Sequence, residues 1–179
     1  LFTASFLGAI YVLYTYIAPL MSETMGYGRN GVSLVLAIFG IGAVIGNIAG
    51  GISADRIGWA KTLVAVCILQ IVLLPVFSFL PVSDEILLAV ALVWSTAGWS
   101  FMAGQQMRLV GLAGPQAPVV LALNAAAIYV GAAGGSAVGA WVIDQFGVSA
   151  LGIAASIGAT GALLHLIWSI NRAPAPQHA

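Results

Sequence analysis

Ser100, in Gly98-Trp99-Ser100, and His165 are the residues whose types suit covalent chemistry. An imidazole that takes the proton of a serine hydroxyl turns it into a nucleophile. Other reactive groups are sparse. Cys67 is the single cysteine, so no internal disulfide forms, and it reads as a small packed hydrophobe. Asp55 and Arg56 stand side by side in GGISADRIG, residues 50 to 58. A second chemistry, non-covalent recognition, suits Tyr11, Tyr14, Trp99 and Gln105, which mix aromatic faces with polar groups. No metal site or cofactor is expected, and a net charge of zero gives no footprint for nucleic acid.

The elements that must hold these residues follow from composition. Of 179 residues 61% are hydrophobic and 6% charged, far from the roughly 25% charged of soluble domains. Charges fall in clusters that leave six uncharged stretches: 1 to 22, 30 to 54, 62 to 83, 86 to 107, 109 to 143 and 145 to 171. A helix needs about 20 apolar residues to cross the hydrocarbon, and the apolar runs lack the alternation of lipid-facing strands. GLAGPQAP at 111 to 118 is a turn signal inside the fifth stretch. The expectation is an all-α membrane protein, a six-helix transmembrane bundle over 1–172. Its spans lie near 1–21, 30–54, 62–81, 86–108, 119–143 and 149–171, and a short cytoplasmic tail follows at 173–179. Pro75 is expected to kink span three and Pro19 to end span one. The chain opens on Leu1 inside a span, without a leader, which points to a fragment of something longer.

Two of the hydrophobic segments share a pattern. Gly42, Gly46, Gly50, Asp55 and Gly58 match Gly131, Gly135, Gly139, Asp144 and Gly147, each 89 residues on. Three spans separate the copies, so they end on opposite faces and form an inverted-topology repeat of two three-helix units. The glycines recur every fourth residue, a strip on which another backbone can come close. These helices are expected to supply a sliding contact. Span three, without glycine and rich in Leu, Val, Ile and Phe, suits lipid.

Loop charges set the orientation. Arg29 lies on one side, while Arg56, Lys61, Arg108 and Arg172 lie on the other, and basic excess marks the cytoplasm. The chain is therefore a multi-pass protein of the cytoplasmic (inner) membrane with both termini of the segment cytoplasmic. Spans one and four carry the polar and aromatic residues, which in hydrocarbon must be paired or wetted. Tyr11, Tyr14, Trp99 and Gln105 are candidates to line a substrate cavity. Asn47 and Asn124 are amides buried by position and suited to interhelical bonds, and Asn124 joins the cavity candidates. Tyr16 suits an interfacial belt, Arg108 suits snorkelling, and His165 a packing role.

Gly51-Ile-Ser-Ala-Asp55-Arg56-Ile-Gly58 resembles the G-x-x-x-D-R-x-G core of a cytoplasmic loop signature. That signature is one of the major facilitator superfamily, and the resemblance is strongest to its twelve-span drug and sugar efflux branch of proton antiporters. YTYIAPLM (14–21), FGIGAVIGNIAGG (39–51), WSTAGWSFMAGQQMRL (94–109) and LALNAAAIYVGAAGG (121–135) are similar to the seventh, eighth, tenth and eleventh spans of such carriers. Two departures stand out: Trp59 and Ala60 intervene before Lys61, and Ser136 follows Gly135 where a proline is frequent. The resemblance implies the C-terminal half of a transporter that moves a small molecule outward by alternating access. Its partners would be the missing N-terminal six-helix half, the lipid bilayer, a small-molecule substrate and protons. Asp55 would dock on a neighbouring helix end with help from Arg56, and Gly51 and Gly58 would permit close contact and a tight turn. Every Asp and Glu lies at a helix boundary or loop, so a proton-carrying carboxylate would belong to the other half. No catalytic residue is expected. Two rivals remain: a rhomboid-like intramembrane serine protease using Ser100 and His165, although Phe101 follows Ser100 where that family has glycine, and a non-transporting membrane assembly subunit.

Overall fold

In the computed structural model, which describes residues 1–172, the chain is helical throughout. The expected tail at 173–179 lies outside the described residues. The helices are α1 (Phe2–Tyr14), α2 (Ile17–Met25), α3 (Arg29–Ile57), α4 (Trp59–Leu73), α5 (Asp84–Ala113), α6 (Ala117–Phe146) and α7 (Leu151–Arg172). Tighter 3-10 turns lie at Leu74–Ser78, Gly114–Gln116 and Val148–Ala150. Among the described residues five stretches are long and apolar enough to cross a membrane. One of them, Asp84–Phe146, runs 63 residues and contains both α5 and α6, of 30 residues each. At 1.5 Å per residue each of these helices is roughly 45 Å long, more than the roughly 30 Å of hydrocarbon. The break between them falls at Gly114, with φ 50°, and Pro115, inside the GLAGPQAP turn signal.

Prolines break the other helices by one mechanism with two outcomes. A proline ring crowds the carbonyl four residues back and removes the N–H that would bond it. At Pro75 the helix tightens into the 3-10 turn, and the freed carbonyl of Ile71 accepts a hydrogen bond from Ser156 Oγ of α7 at 2.9 Å. Pro19 does not end span one, contrary to the sequence expectation. The chain breaks one turn earlier, at Thr15 and Tyr16, where Pro19 crowds the residue-15 carbonyl. Pro19 itself sits in the first turn of α2, where its N–H would have no helical partner.

Packing is organised by the two glycine strips. A Cβ at Gly42, Gly46 or Gly50 of α3 would lie under 3.0 Å from the carbonyl oxygens of Leu92, Thr96 and Ser100 on α5, respectively. One at Gly131, Gly135 or Gly139 of α6 would lie under 3.0 Å from those of Ala4, Gly8 and Val12 on α1. The three receiving carbonyls of α5 stand 88 residues after those of α1. Hence α3 lies on α5 and α6 on α1 with backbones nearly touching. The strips face into the bundle and are buried, so they do not offer the sliding surface expected of them. The opposite face of α3 is exposed instead, with Val44 at 64% and Ile48 at 61%. In α4, Leu63, Val66, Cys67 and Gln70 are buried and Ile68, Leu69 and Val72 exposed.

Backbone corners repeat as well. Gly58, between α3 and α4, has φ 87° and ψ 152°, and Gly147, after α6, has φ 79° and ψ 169°. This region is open essentially to glycine alone. Thr62, just inside α4, donates to the Gly58 carbonyl at 3.0 Å and pairs with Ser53 Oγ of α3 at 3.0 Å, clasping the turn.

Candidate functional site

A cavity of about 140 Å³ opens between α1 and α5. Tyr11 and Tyr14 reach it from α1, Phe39 from α3, Trp99 and Met102 from α5, and Ile128 from α6. The volume approaches the roughly 150 Å³ of an apolar cavity that holds benzene. Helical spacing puts Tyr11 and Tyr14 on adjoining faces, with ring centroids 5.6 Å apart, edge to face. Tyr14 stacks on Phe39 at 4.6 Å, and Phe39 meets Trp94 edge-on at 4.9 Å. Such offset and edge-on pairs are the favoured aromatic arrangements, so one wall is a fixed set of rings. Trp99 is 39% exposed and presents its indole to the opening.

Gln105 and Asn124 lie elsewhere. Both are buried beside Thr3, where Thr3 Oγ1 donates to Asn124 Oδ1 and Gln105 Nε2 donates to Thr3 Oγ1 at 3.0 Å. This cluster ties α1, α5 and α6 together, and Gln105 Oε1 is left without a partner. Thr3 was not singled out from sequence. It shares the helical face of Leu7, Ile10 and Tyr14, and that spacing is the one signal that marks it. A second tie joins α1 to α6 at the break, where Thr15 Oγ1 pairs with Ser136 Oγ and Tyr16 OH donates to the Ser136 carbonyl, each at 2.7 Å. Tyr16 is thus committed to a helix contact. Asn47, expected to be buried, is exposed on α3 beside the inward-facing Gly46, and its amide donates to its own helix at Ala43 O, 2.9 Å away.

Around the loop motif, Asp55 and Arg56 are exposed, and a Cβ at Gly51 would meet nothing within 4 Å. Among the described residues Asp55 has no hydrogen-bond or ion-pair partner. At the other end of α3, Tyr27 OH donates to Asp84 Oδ1 at 2.5 Å, joining the α2–α3 turn to the start of α5. That bond to a carboxylate pushes the Tyr27 phenol up to about 12. Neither residue was marked from sequence.

Ser100 and His165 do not form a dyad. Ser100 Oγ donates to Gly46 O at 3.0 Å and Thr96 O at 2.7 Å, and His165 Nδ1 lies 3.4 Å from Ser5 Oγ with its ring against Phe2. Arg108 does not snorkel. It is 6% exposed, its Nη2 donates to Ser169 Oγ of α7 at 2.6 Å, and its Cζ lies 5.7 Å from the Phe2 ring and 5.5 Å from the Trp59 ring. Its Nε is enclosed without an acceptor. Among the described residues no three His, Cys, Asp or Glu side chains gather as a metal site.

An aromatic cavity between helices with mirrored glycine seams is the setting in which the comparisons with known proteins fall. The family model of the Major Facilitator Superfamily matches residues 1–179, and the chain belongs to that family. It is 30% identical over 168 residues to the "Uncharacterized MFS-type transporter YbcL" of Bacillus subtilis (strain 168), covering 94% of this chain and 42% of that protein. It is also 30% identical over 168 residues to the "Inner membrane transport protein YdhP" of Escherichia coli (strain K12), covering 93% of this chain and 43% of that one. The chain thus spans about two-fifths of the length of these curated relatives. No solved structure matches it.

Proposed function

We propose that the chain is the C-terminal six-helix half of an efflux-type secondary transporter of the inner membrane. It would carry a small molecule outward by alternating access. The cavity between α1 and α5 is the observation that carries this reading. Tyr11, Tyr14 and Trp99 would form this half's share of the substrate path, and a second six-helix half would complete it. Family membership and the names of the relatives support transport. The division of basic residues supports cytoplasmic ends for the segment.

An inverted repeat of two three-helix units accounts for the fold in this reading. Exchanging the units carries the α3–α5 seam onto the α6–α1 seam, and the paired glycines, receiving carbonyls and glycine corners support it. Asp55 and Arg56, exposed beside the open face of Gly51, would latch onto the other half and release as the halves rock. A carboxylate is favoured at a helix N-terminus, and that is the partner expected. Proton coupling would rest on an acidic residue of the other half.

The test is flux in liposomes containing the full-length protein, with an internal pH dye to register proton exchange as candidate compounds are added. Trp99→Ala and Tyr14→Ala are expected to lower flux at least tenfold while the fold is retained. Unchanged flux in both variants would overturn the cavity assignment. Labelling of cysteines placed at Lys61 and Gln145 from the same side of the membrane would overturn the inverted repeat.

A further inference from the structure

Arg108 poses a problem that the transport reading does not use. A buried cation without a counter-charge is among the costliest arrangements a protein can hold. A guanidinium has five N–H donors, yet the bond to Ser169 Oγ uses one, and Nε is enclosed without an acceptor. The faces of Phe2 and Trp59 offset part of the charge. The chain has five carboxylates, Glu23, Asp55, Asp84, Glu85 and Asp144, and none pairs with Arg108. Its charge is therefore left to an acceptor other than these carboxylates.

We propose that Arg108 binds the phosphate of an anionic phospholipid. Three observations favour a lipid over an acidic side chain of the other half. The guanidinium sits among Trp59 at the start of α4, Ser169 near the end of α7 and Phe2 at the start of α1, so helix ends meet there at one depth. The same ends of α4 and α7 carry residues of interfacial type: Trp168 is 54% exposed with Arg172 over its ring at 4.5 Å, and exposed Lys61 follows Trp59 by two residues. Tryptophan with basic residues between helix ends is the make-up of sites for anionic headgroups. Lastly, α4 and α7 wall the site, whereas broad exposed apolar faces on α3 and α6 lie on different helices and are free to meet a second bundle. A phosphodiester offers two non-bridging oxygens to the guanidinium fork. Only a bilayer around these helices is required, so the inference stands apart from the direction or substrate of transport.

The full-length protein in detergent would be titrated with phosphatidylglycerol and, separately, phosphatidylcholine, with bound lipid counted by native mass spectrometry. Wild type is expected to prefer phosphatidylglycerol by about tenfold. Arg108→Gln should lose that preference, Arg108→Lys should keep part of it, and Arg29→Gln, at the other ends of the helices, should keep all. Should Arg108→Gln fail to fold, the wild-type preference and its reduction in Arg108→Lys decide the matter. Equal affinity of wild type for both lipids, or full preference in Arg108→Lys and Arg108→Gln, would overturn the proposal. Stabilisation by inorganic phosphate equal to that by phosphatidylglycerol would also overturn it, since the site would then serve a soluble anion.

Discussion

Gly135→Ala tests whether backbone contact between α6 and α1 holds the bundle together. The new methyl carbon would lie within 3.0 Å of the carbonyl oxygen, carbon and Cα of Gly8. Those are main-chain atoms of a helix, which no rotamer change can move, so α1 and α6 must separate. Overpacking of this kind costs roughly 1–3 kcal/mol. Weakened Cα–H···O contacts along the seam add roughly 0.5–1 kcal/mol each. Alanine's better helix propensity returns up to about 1 kcal/mol, leaving a net loss of roughly 1–3 kcal/mol. Gly134→Ala is the control, because a Cβ there meets nothing within 4 Å, and it should be neutral or slightly stabilising. Thermal unfolding of the full-length protein, followed by tryptophan fluorescence in one detergent, should place the Gly135→Ala midpoint below that of Gly134→Ala by several degrees. Gly46→Ala should behave as Gly135→Ala does, since its Cβ would meet Thr96 O in the same way. Coincident midpoints for Gly134→Ala and Gly135→Ala would refute the reasoning.

Further outcomes follow from single contacts. The Tyr27 phenol, raised by Asp84 from 10.0 to about 12, stabilises the loop fully below pH 10 and loses that contribution as pH rises through 12. The difference in phenolate absorbance between wild type and Tyr27→Phe should show one late-titrating tyrosine, and a tyrosine ionising near pH 10 would contradict the bond. Thr3→Val should cost roughly 1–3 kcal/mol for each of the two amides it strands. Gln105→Leu should be nearly neutral, because it also removes the partnerless Oε1, and chemical denaturation distinguishes the two. Cys67 is buried, so a maleimide should label it only after the fold is opened with detergent and heat.

The helix ends were legible because charges are too costly for hydrocarbon and so collect there, at Arg29, Asp55 and Asp84. The glycine strips were legible because close backbone approach demands a fixed spacing of small residues, and the carbonyls they meet keep nearly the same separation. The direction in which the strips face was not, since Gly46 marks contact without naming the partner. Position along the chain misplaced Asn47, which adjoins a buried glycine and for that reason points away from the contact. A proline acts on the carbonyl four residues back, so the break at Thr15 and Tyr16 was hidden behind Pro19. Tyr11, Tyr14 and Trp99, marked by their types, line one cavity in the structure. The Thr3, Gln105 and Asn124 cluster joins residues up to 121 positions apart, and no local pattern records such a bond.

The two seams have a consequence for how the cavity changes size. Each couples a pair of helices main chain to main chain, and the α1–α6 pair is also pinned by hydroxyls near both extremities, at Thr3 and Thr15. Across the gap, α1 and α5 share the single Gln105–Thr3 bond at one end and otherwise meet through rings, with Phe6 stacked on Phe101 at 4.4 Å and Tyr14 6.4 Å from Trp94. Those rings are spacers between two stiff beams. Rolling one beam on the spacers would change the volume without deforming either, so swapping Phe6 or Phe101 for a smaller side chain is expected to reset the resting width of the chamber without touching its lining tyrosines.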